Sequence, residues 1–221
     1  MLTPMTEYTC VLFDLDGTIT DSAPGITASL AWMFEHLDLP VPSPAALLEY
    51  VGPPILDSFR DLAGFSESEA VRALDTYRQH YTVTGLFDST VYNGVPEVLA
   101  AIHASPLPMS LATSKPESLA TSILDHFDLA KYFEFLTGAS EDEIRSSKAD
   151  VVEEALRRLA EAGADVARPV LVGDREHDVH GAAAHGVPTI FVEWGYGSPA
   201  EQAGAIAVAA TPADLRHLLL G

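Results

Sequence analysis

Apolar residues along this chain follow two rhythms, and the change between them divides it. Residues 10–13 read Cys-Val-Leu-Phe, an unbroken apolar run that stops abruptly at Asp14 and Asp16. Such a run suits a strand buried on both faces in the middle of a parallel sheet. From residue 22 to about residue 84 the spacing turns helical. Ile26, Leu30, Met33, Phe34 and Leu37 form one stripe, and Leu47, Leu48 and Val51 a second. Ile55, Leu56, Phe59 and Leu62 form a third, and Val71, Leu74, Tyr77 and Tyr81 a fourth. Pro40, Pro42, Pro44 and the Gly52-Pro53-Pro54 triplet punctuate them. A parallel crossover needs only about a dozen residues, so a helical stretch of this length predicts a small domain inserted after the first strand.

Strand and helix patterns then alternate. The pattern predicts helices over 95–104, 117–127, 149–162 and 212–220, with another running from 175 to about 185. It predicts strands over 109–112, 133–136, 170–172 and 189–192, and a weaker one over 206–209. Alternation of this kind implies an α/β fold with a Rossmann-like parallel sheet covered on both faces. The expected organisation is a core from 1–18 and 88–221, an α-helical cap over 19–87, and hinges at 18–22 and 84–92.

Charge narrows the partners. The formal net charge is −20, from 12 basic and 32 acidic side chains, which argues against nucleic acid and anionic membranes. An anionic small substrate stays compatible, because exposed charges are screened beyond roughly 8 Å at physiological salt. No apolar run reaches the roughly 18 residues of a membrane span, and the N-terminal MLTPMTEYT does not read as a secretory leader. The single Cys10 has no disulfide partner within the chain and reads as a small buried hydrophobe. The expected location is the cytoplasm.

Chemistry collects where strands end. Asp14 and Asp16 follow the first strand, Thr113 and Ser114 the second, and Asp174 the fourth, with Asp178 one helical turn on. Two carboxylates side by side suggest a metal site, an acid/base pair, or both. Strand ends of a parallel sheet share one edge, so these groups converge. Carboxylates gathered there call for a hard dication, and Mg²⁺ suits a site completed by a phosphate. Hydroxyls and free N–H groups at Thr113-Ser114 supply donors for phosphate oxygens. Other motifs carry less. The glycine of DLDG sits at the wrong position for a calcium loop. His177 and His180 lack a further ligand cluster for zinc and read as solvent-facing. Gly195-Tyr196-Gly197 reads as a tight loop near the site. Arg60 is a candidate for a substrate carboxylate or second phosphate and equally a surface residue.

Four pieces in order, DLDGT, LATSK, Lys148 and GDREHD, resemble the motifs of the haloacid dehalogenase superfamily and its phosphatases. The helical insert matches the α-helical cap of that family. TITDSAPGI, VGPPILDSF and GDREHDVHGA look most like the phosphoglycolate phosphatases. The resemblance implies Asp14 as nucleophile and Asp16 as general acid and then base. It implies Mg²⁺ held by Asp14, Asp174 and the backbone carbonyl of Asp16, with Asp178 in support. Thr113, Ser114 and Lys148 would bind the phosphoryl group, Lys115 would assist, and Gly17 and Thr18 would shape the turn. Many relatives carry Lys-Pro where this chain has Lys148-Ala149. Asp16, Asp174 and Asp178 point to phosphoryl transfer, because dehalogenases of the superfamily lack the acid/base partner and the metal. The expected substrate is a small phosphorylated metabolite, phosphoglycolate first. A nucleoside monophosphate, pyrophosphate, or a β-phosphoglucomutase-type mutase reaction are alternatives. A receiver-type signalling domain also clusters aspartates and a lysine, but it lacks the insert and phosphorylates after the third strand.

Overall fold

The computed structural model describes residues 8–221. The reading of the N-terminal stretch as no leader rests mostly on residues outside that range. Strand β1 (Cys10–Phe13) is fully buried. Its alternation sends Cys10 and Leu12 into one layer of core and Val11 and Phe13 into the other. The burial of Cys10 pushes its thiol pKa up to about 12, with Asp165 adding to the effect.

The chain leaves β1 through a short antiparallel ribbon, β2 (Thr20–Asp21) paired with β3 (Thr90–Val91). Between them lie helices α1 (Ala23–His36), α2 (Pro44–Leu48), α3 (Ile55–Asp61) and α4 (Glu67–His80). A wide helical turn, Tyr81–Gly85, follows α4. Ser43 caps α2 by accepting from the Ala46 N–H, and a Ser66–Glu69 capping box opens α4. The apolar stripes meet in an aromatic cluster of Phe34, Tyr50, Phe59, Phe65 and Tyr77.

After β3 come α5 (Val95–His103), β4 (Met109–Pro116), α6 (Glu117–His126), β5 (Phe135–Ala139) and α7 (Lys148–Glu161). The chain ends with β6 (Pro169–Gly173), α8 (Glu176–Ala183), β7 (Thr189–Val192), β8 (Ala207–Ala209) and α9 (Pro212–Leu220). Six strands form one sheet in the order β5-β4-β1-β6-β7-β8, and every pairing in it is parallel. Helices α7 and α8 cover one face through Val152, Ala155, Leu159 and Ala182. Helices α5, α6 and α9 cover the other through Leu99, Ile102, Ile123, Leu215 and Leu219. Each large side chain buried in these layers contributes roughly 1.5–3 kcal/mol. Among the described residues no helix is long and apolar enough to cross a membrane.

Two strands depart from the expected pattern. β5 begins at Phe135 and runs through Thr137, Gly138 and Ala139 rather than over 133–136. Phe133 instead follows a 3-10 turn at Ala130–Tyr132, and the buried end of the strand is made of small residues that apolar counting overlooks. β4 continues past Ala112 to Pro116, with its register against β5 shifting between those two residues. The β2–β3 ribbon was not expected, since two-residue strands carry no periodicity.

Candidate active site

The chain passes from β1 outward to β4 and β5, then returns across the sheet to β6 on the other side of β1. That reversal opens a crevice beyond the carboxyl ends of the central strands. Asp14 enters it directly from β1, its N–H donating to Val172 O of β6 at 2.9 Å. Asp174 enters from β6 and Asp178 from the first turn of α8. Lys148, the first residue of α7, reaches in from the helix packed beside α8, with Ser147 capping its helix through the Asp150 N–H.

These four side chains form one buried charged cluster. Lys148 Nζ lies 2.6 Å from Asp14 Oδ1 and 2.8 Å from Asp178 Oδ1, and it donates to Ala112 O at 2.9 Å. Asp178 Oδ2 accepts the N–H groups of Asp174 at 3.1 Å and Arg175 at 3.0 Å. Asp174 Oδ2 accepts from the Tyr196 N–H at 2.7 Å, and its Oδ1 from Thr18 Oγ1 at 3.2 Å. Burial raises the Asp14 pKa from 3.8 to about 6, the neighbouring Lys148 pulling the other way. Burial, together with Asp178 and Asp14, raises Asp174 well above the usual carboxylate range. Burial opposes the charge of Lys148, but Asp14 and Asp178 outweigh it and its pKa rises.

Asp14, Asp174 and Asp178 each present a carboxylate oxygen, all buried and within 4.8 Å of one another. Lys148 is the one cation ion-paired to this trio among the described residues. The raised carboxylate values come first from burial, with the neighbouring carboxylates adding to it. A hard dication with oxygen ligands fits that donor set.

Asp16 faces away from the trio. Its Oδ2 lies 2.5 Å from Lys115 Nζ, and its Oδ1 accepts from Ser22 Oγ at 2.6 Å. Gly17 stands between the two groups with φ +89°, and a Cβ there would overlap the Asp174 carboxylate. Thr18 is buried beside it. Thr113, Ser114 and Lys115 occupy the irregular end of β4. Thr113 Oγ1 accepts from the Lys115 N–H at 3.3 Å. Ser114 Oγ is buried with no hydrogen-bond partner among the described residues.

A cavity of about 50 Å³ adjoins Asp16, Ser114 and Lys115 and is closed by Gly52, Pro53, Tyr77, Arg78 and Tyr81 of the helical segment. Arg78, which the sequence pattern does not single out, forms an ion pair with Glu143 of the loop before α7. Arg60 is not among the residues lining this cavity, and its guanidinium pairs with Asp57 at 2.6 Å and Glu67 at 2.8 Å. His177 and His180 line an open groove that also takes in Lys148 and Arg175, and His177 is half-buried rather than solvent-facing. Ser22 and Tyr196 also escaped the sequence reading as contributors. The Ser22–Asp16 bond spans only six residues but follows no periodic pattern, and the Tyr196–Ser22 bond spans 174.

Known proteins share this arrangement of sheet and helical insert. A family model described as haloacid dehalogenase-like hydrolase matches residues 11–192. A Mycobacterium tuberculosis protein named tyrosine-protein kinase PtkA is 43% identical over 187 residues, 85% of this chain. The chain spans 62% of the length of that relative. A 5'-nucleotidase of Pseudomonas aeruginosa is 38% identical over 196 residues, covering 88% of this chain and 87% of its own. A phosphoglycolate phosphatase of Pseudomonas syringae pv. tomato is 31% identical, covering 96% and 78%. The crystal structure of a protein described as a predicted phosphatase from Clostridium acetobutylicum superposes with a TM-score of 0.89 at 37% identity, covering 95% and 97%. With the crevice, its acidic trio and these likenesses together, the chain belongs to the haloacid dehalogenase-like hydrolases.

Proposed function

We propose that the protein hydrolyses the phosphate monoester of a small metabolite through a phosphorylated Asp14, with Mg²⁺ as cofactor. The observation that carries this reading is the Lys148–Asp14 pair at 2.6 Å beside the Asp14, Asp174 and Asp178 trio. A nucleophilic carboxylate needs its charge balanced so that an anionic phosphoryl group can approach, and Lys148 is placed to do this. Asp14 and Asp174, with the backbone carbonyl of Asp16, would hold Mg²⁺, and Asp178 would orient Lys148 and the Asp174 backbone. When bound, Mg²⁺ polarises the phosphoryl oxygens and fixes their orientation.

The chain's own residues then perform two transfers. An Asp14 carboxylate oxygen bonds to phosphorus while the ester P–O bond breaks, and Asp16 gives its proton to the departing oxygen. Asp16 next takes a proton from water, whose oxygen bonds to phosphorus as the Asp14–phosphorus bond breaks. Phosphate leaves and both aspartates are restored. Thr113 and Ser114 would bind phosphoryl oxygens, the unpartnered Ser114 hydroxyl being free to do so. Gly17 and Thr18 shape the turn that brings Asp16 alongside. We assign residues 19–87 as the cap that closes over this chemistry, pivoting at 18–22 and 84–92.

Phosphoglycolate is the first candidate substrate. The cavity of about 50 Å³ next to Asp16 suits a leaving group of a few heavy atoms, and a phosphoglycolate phosphatase stands among the relatives. A nucleoside monophosphate is the second reading, favoured by the likeness to a 5'-nucleotidase. Phosphate release from a panel of esters, with Mg²⁺ or chelator, tests the reading beside Asp14→Asn. The expected result is release that needs Mg²⁺ and is lost in Asp14→Asn. Activity that survives either change overturns the mechanism.

A further inference from the structure

Tyr196 joins two parts of the molecule that the proposed mechanism treats separately. Its hydroxyl accepts the N–H groups of Ser22 at 2.7 Å and Ala23 at 2.9 Å, and donates to Asp21 Oδ1 at 2.8 Å. These residues lead from the β2–β3 ribbon into α1. Its own N–H donates to Asp174 Oδ2 at 2.7 Å. One residue therefore grips the entrance to the helical insertion with its ring and the acidic trio with its backbone.

The helix cap explains why this grip is unusual. Ser22 is the N-cap residue of α1, yet its side chain makes no capping bond. A serine there ordinarily accepts an N–H of the first turn. Here Ser22 Oγ donates to Asp16 Oδ1 instead, while the Tyr196 hydroxyl receives the N–H groups at the helix start. A second tie runs parallel to the first. Trp194 Nε1 donates to Thr18 O at 3.0 Å, and Thr18 Oγ1 donates to Asp174 Oδ1 at 3.2 Å. Both oxygens of Asp174 are thus held by groups fastened to the entrance of the insertion or to the loop after β7.

We infer that Tyr196 is a positioning residue coupling occupancy of the metal site to the seating of the helical insertion. The inference rests on the metal reading proposed above. A cation that fixes Asp174 fixes the Tyr196 backbone, and through the ring it fixes the amides of Ser22 and Ala23. Coupling of this kind is reciprocal: loosening the hinge lowers the affinity for the cation.

Backbone hydrogen exchange at Ser22 and Ala23, measured with Mg²⁺ or chelator on the full chain, tests this beside calorimetric titration of Mg²⁺. In the unaltered protein, Mg²⁺ slows exchange of both amides. In Tyr196→Phe the amides exchange faster, the Mg²⁺-dependent slowing disappears, and Mg²⁺ binds roughly tenfold or more weakly, as when a group orienting a ligand is lost. A side chain that merely packs lowers thermal stability and leaves the Mg²⁺-dependent slowing intact, and that result overturns the inference. Asp174→Asn provides a second route that spares the ring. It too abolishes the slowing if the coupling runs through Asp174, and slowing that persists overturns the inference. If Mg²⁺ binds neither the unaltered protein nor Tyr196→Phe, the metal reading and the coupling fall together. If it binds both alike, the coupling falls alone.

Discussion

Lys115 Nζ lies 2.5 Å from Asp16 Oδ2, with both side chains buried. The same ammonium stands 5.1 Å from the centre of the Tyr81 ring, at the end of the helical insertion. Burial works against the charge on Lys115, but Asp16 and Tyr81 more than offset it and raise its pKa. The aspartate assigned to proton transfer is therefore held between a core lysine and Ser22 at the start of the insertion.

Lys115→Met is expected to lower kcat by roughly 10²-fold for alkyl phosphates, the lower end of what a positioned acid/base group contributes. Aryl phosphates, whose departing oxygen needs little protonation, are expected to lose far less. The comparison of kcat across the two ester classes separates the roles. An equal loss on both classes would assign Lys115 to phosphate binding rather than to placing Asp16.

The parts of the site that a reader of the sequence could find share one property: each is encoded within a few residues. The run into Asp14 and Asp16 announces a buried strand ending in carboxylates, and Asp174 and Asp178 repeat the theme one helical turn apart. Lys148 was reachable because few lysines exist and one opens a helix. The Lys115–Asp16 pair joins residues 99 apart in the chain, and the Tyr196–Ser22 bond joins residues 174 apart. Such contacts follow from strand order and from how the insertion docks, and neither leaves a periodic trace. Arg78 escaped for the same reason, since its partner Glu143 is set by docking. Arg60 drew attention through its type alone, and its neighbours Asp57 and Glu67 consume it.

Stability should fall as pH rises through the range where Asp14 ionises, provided no metal is bound. The folded chain holds the Asp14 proton up to about 6, against an ordinary value of 3.8. Between those values the folded state binds more protons than the unfolded one, so raising the pH favours unfolding. Asp14 and Asp174 both act in this direction. Metal binding needs these carboxylates ionised. The rise in Tm on adding Mg²⁺ is therefore expected to be larger near pH 7.5 than near pH 5. Thermal melts with Mg²⁺ and with chelator at both values check this. An increment that does not change with pH would mean that the trio is not where the metal binds.

Gly17→Ala should damage the metal site by crowding it, beyond the cost of backbone strain. Gly17 has φ +89°, and a methyl group there would overlap the Asp174 carboxylate. Gly64 supplies the comparison, since it has φ +69° and nothing within 4 Å of an added Cβ. A non-glycine residue forced into a sparsely populated backbone region costs about 1–3 kcal/mol, so both variants lose stability. Only Gly17→Ala also displaces Asp174 from the hydroxyl of Thr18 and the N–H of Tyr196 that orient it. Its Mg²⁺ affinity is expected to fall by roughly 10–100-fold, the range seen when groups orienting a ligand are disturbed. Gly64→Ala, in the helical segment far along the chain from the trio, is expected to bind Mg²⁺ as the unaltered protein does. Denaturant melts and Mg²⁺ titrations on both variants give the two readouts. Equal affinities for Mg²⁺ would mean that Asp174 tolerates the crowding or that the metal is held elsewhere. Carboxylate orientation at the end of β6 would then lose its place in the mechanism.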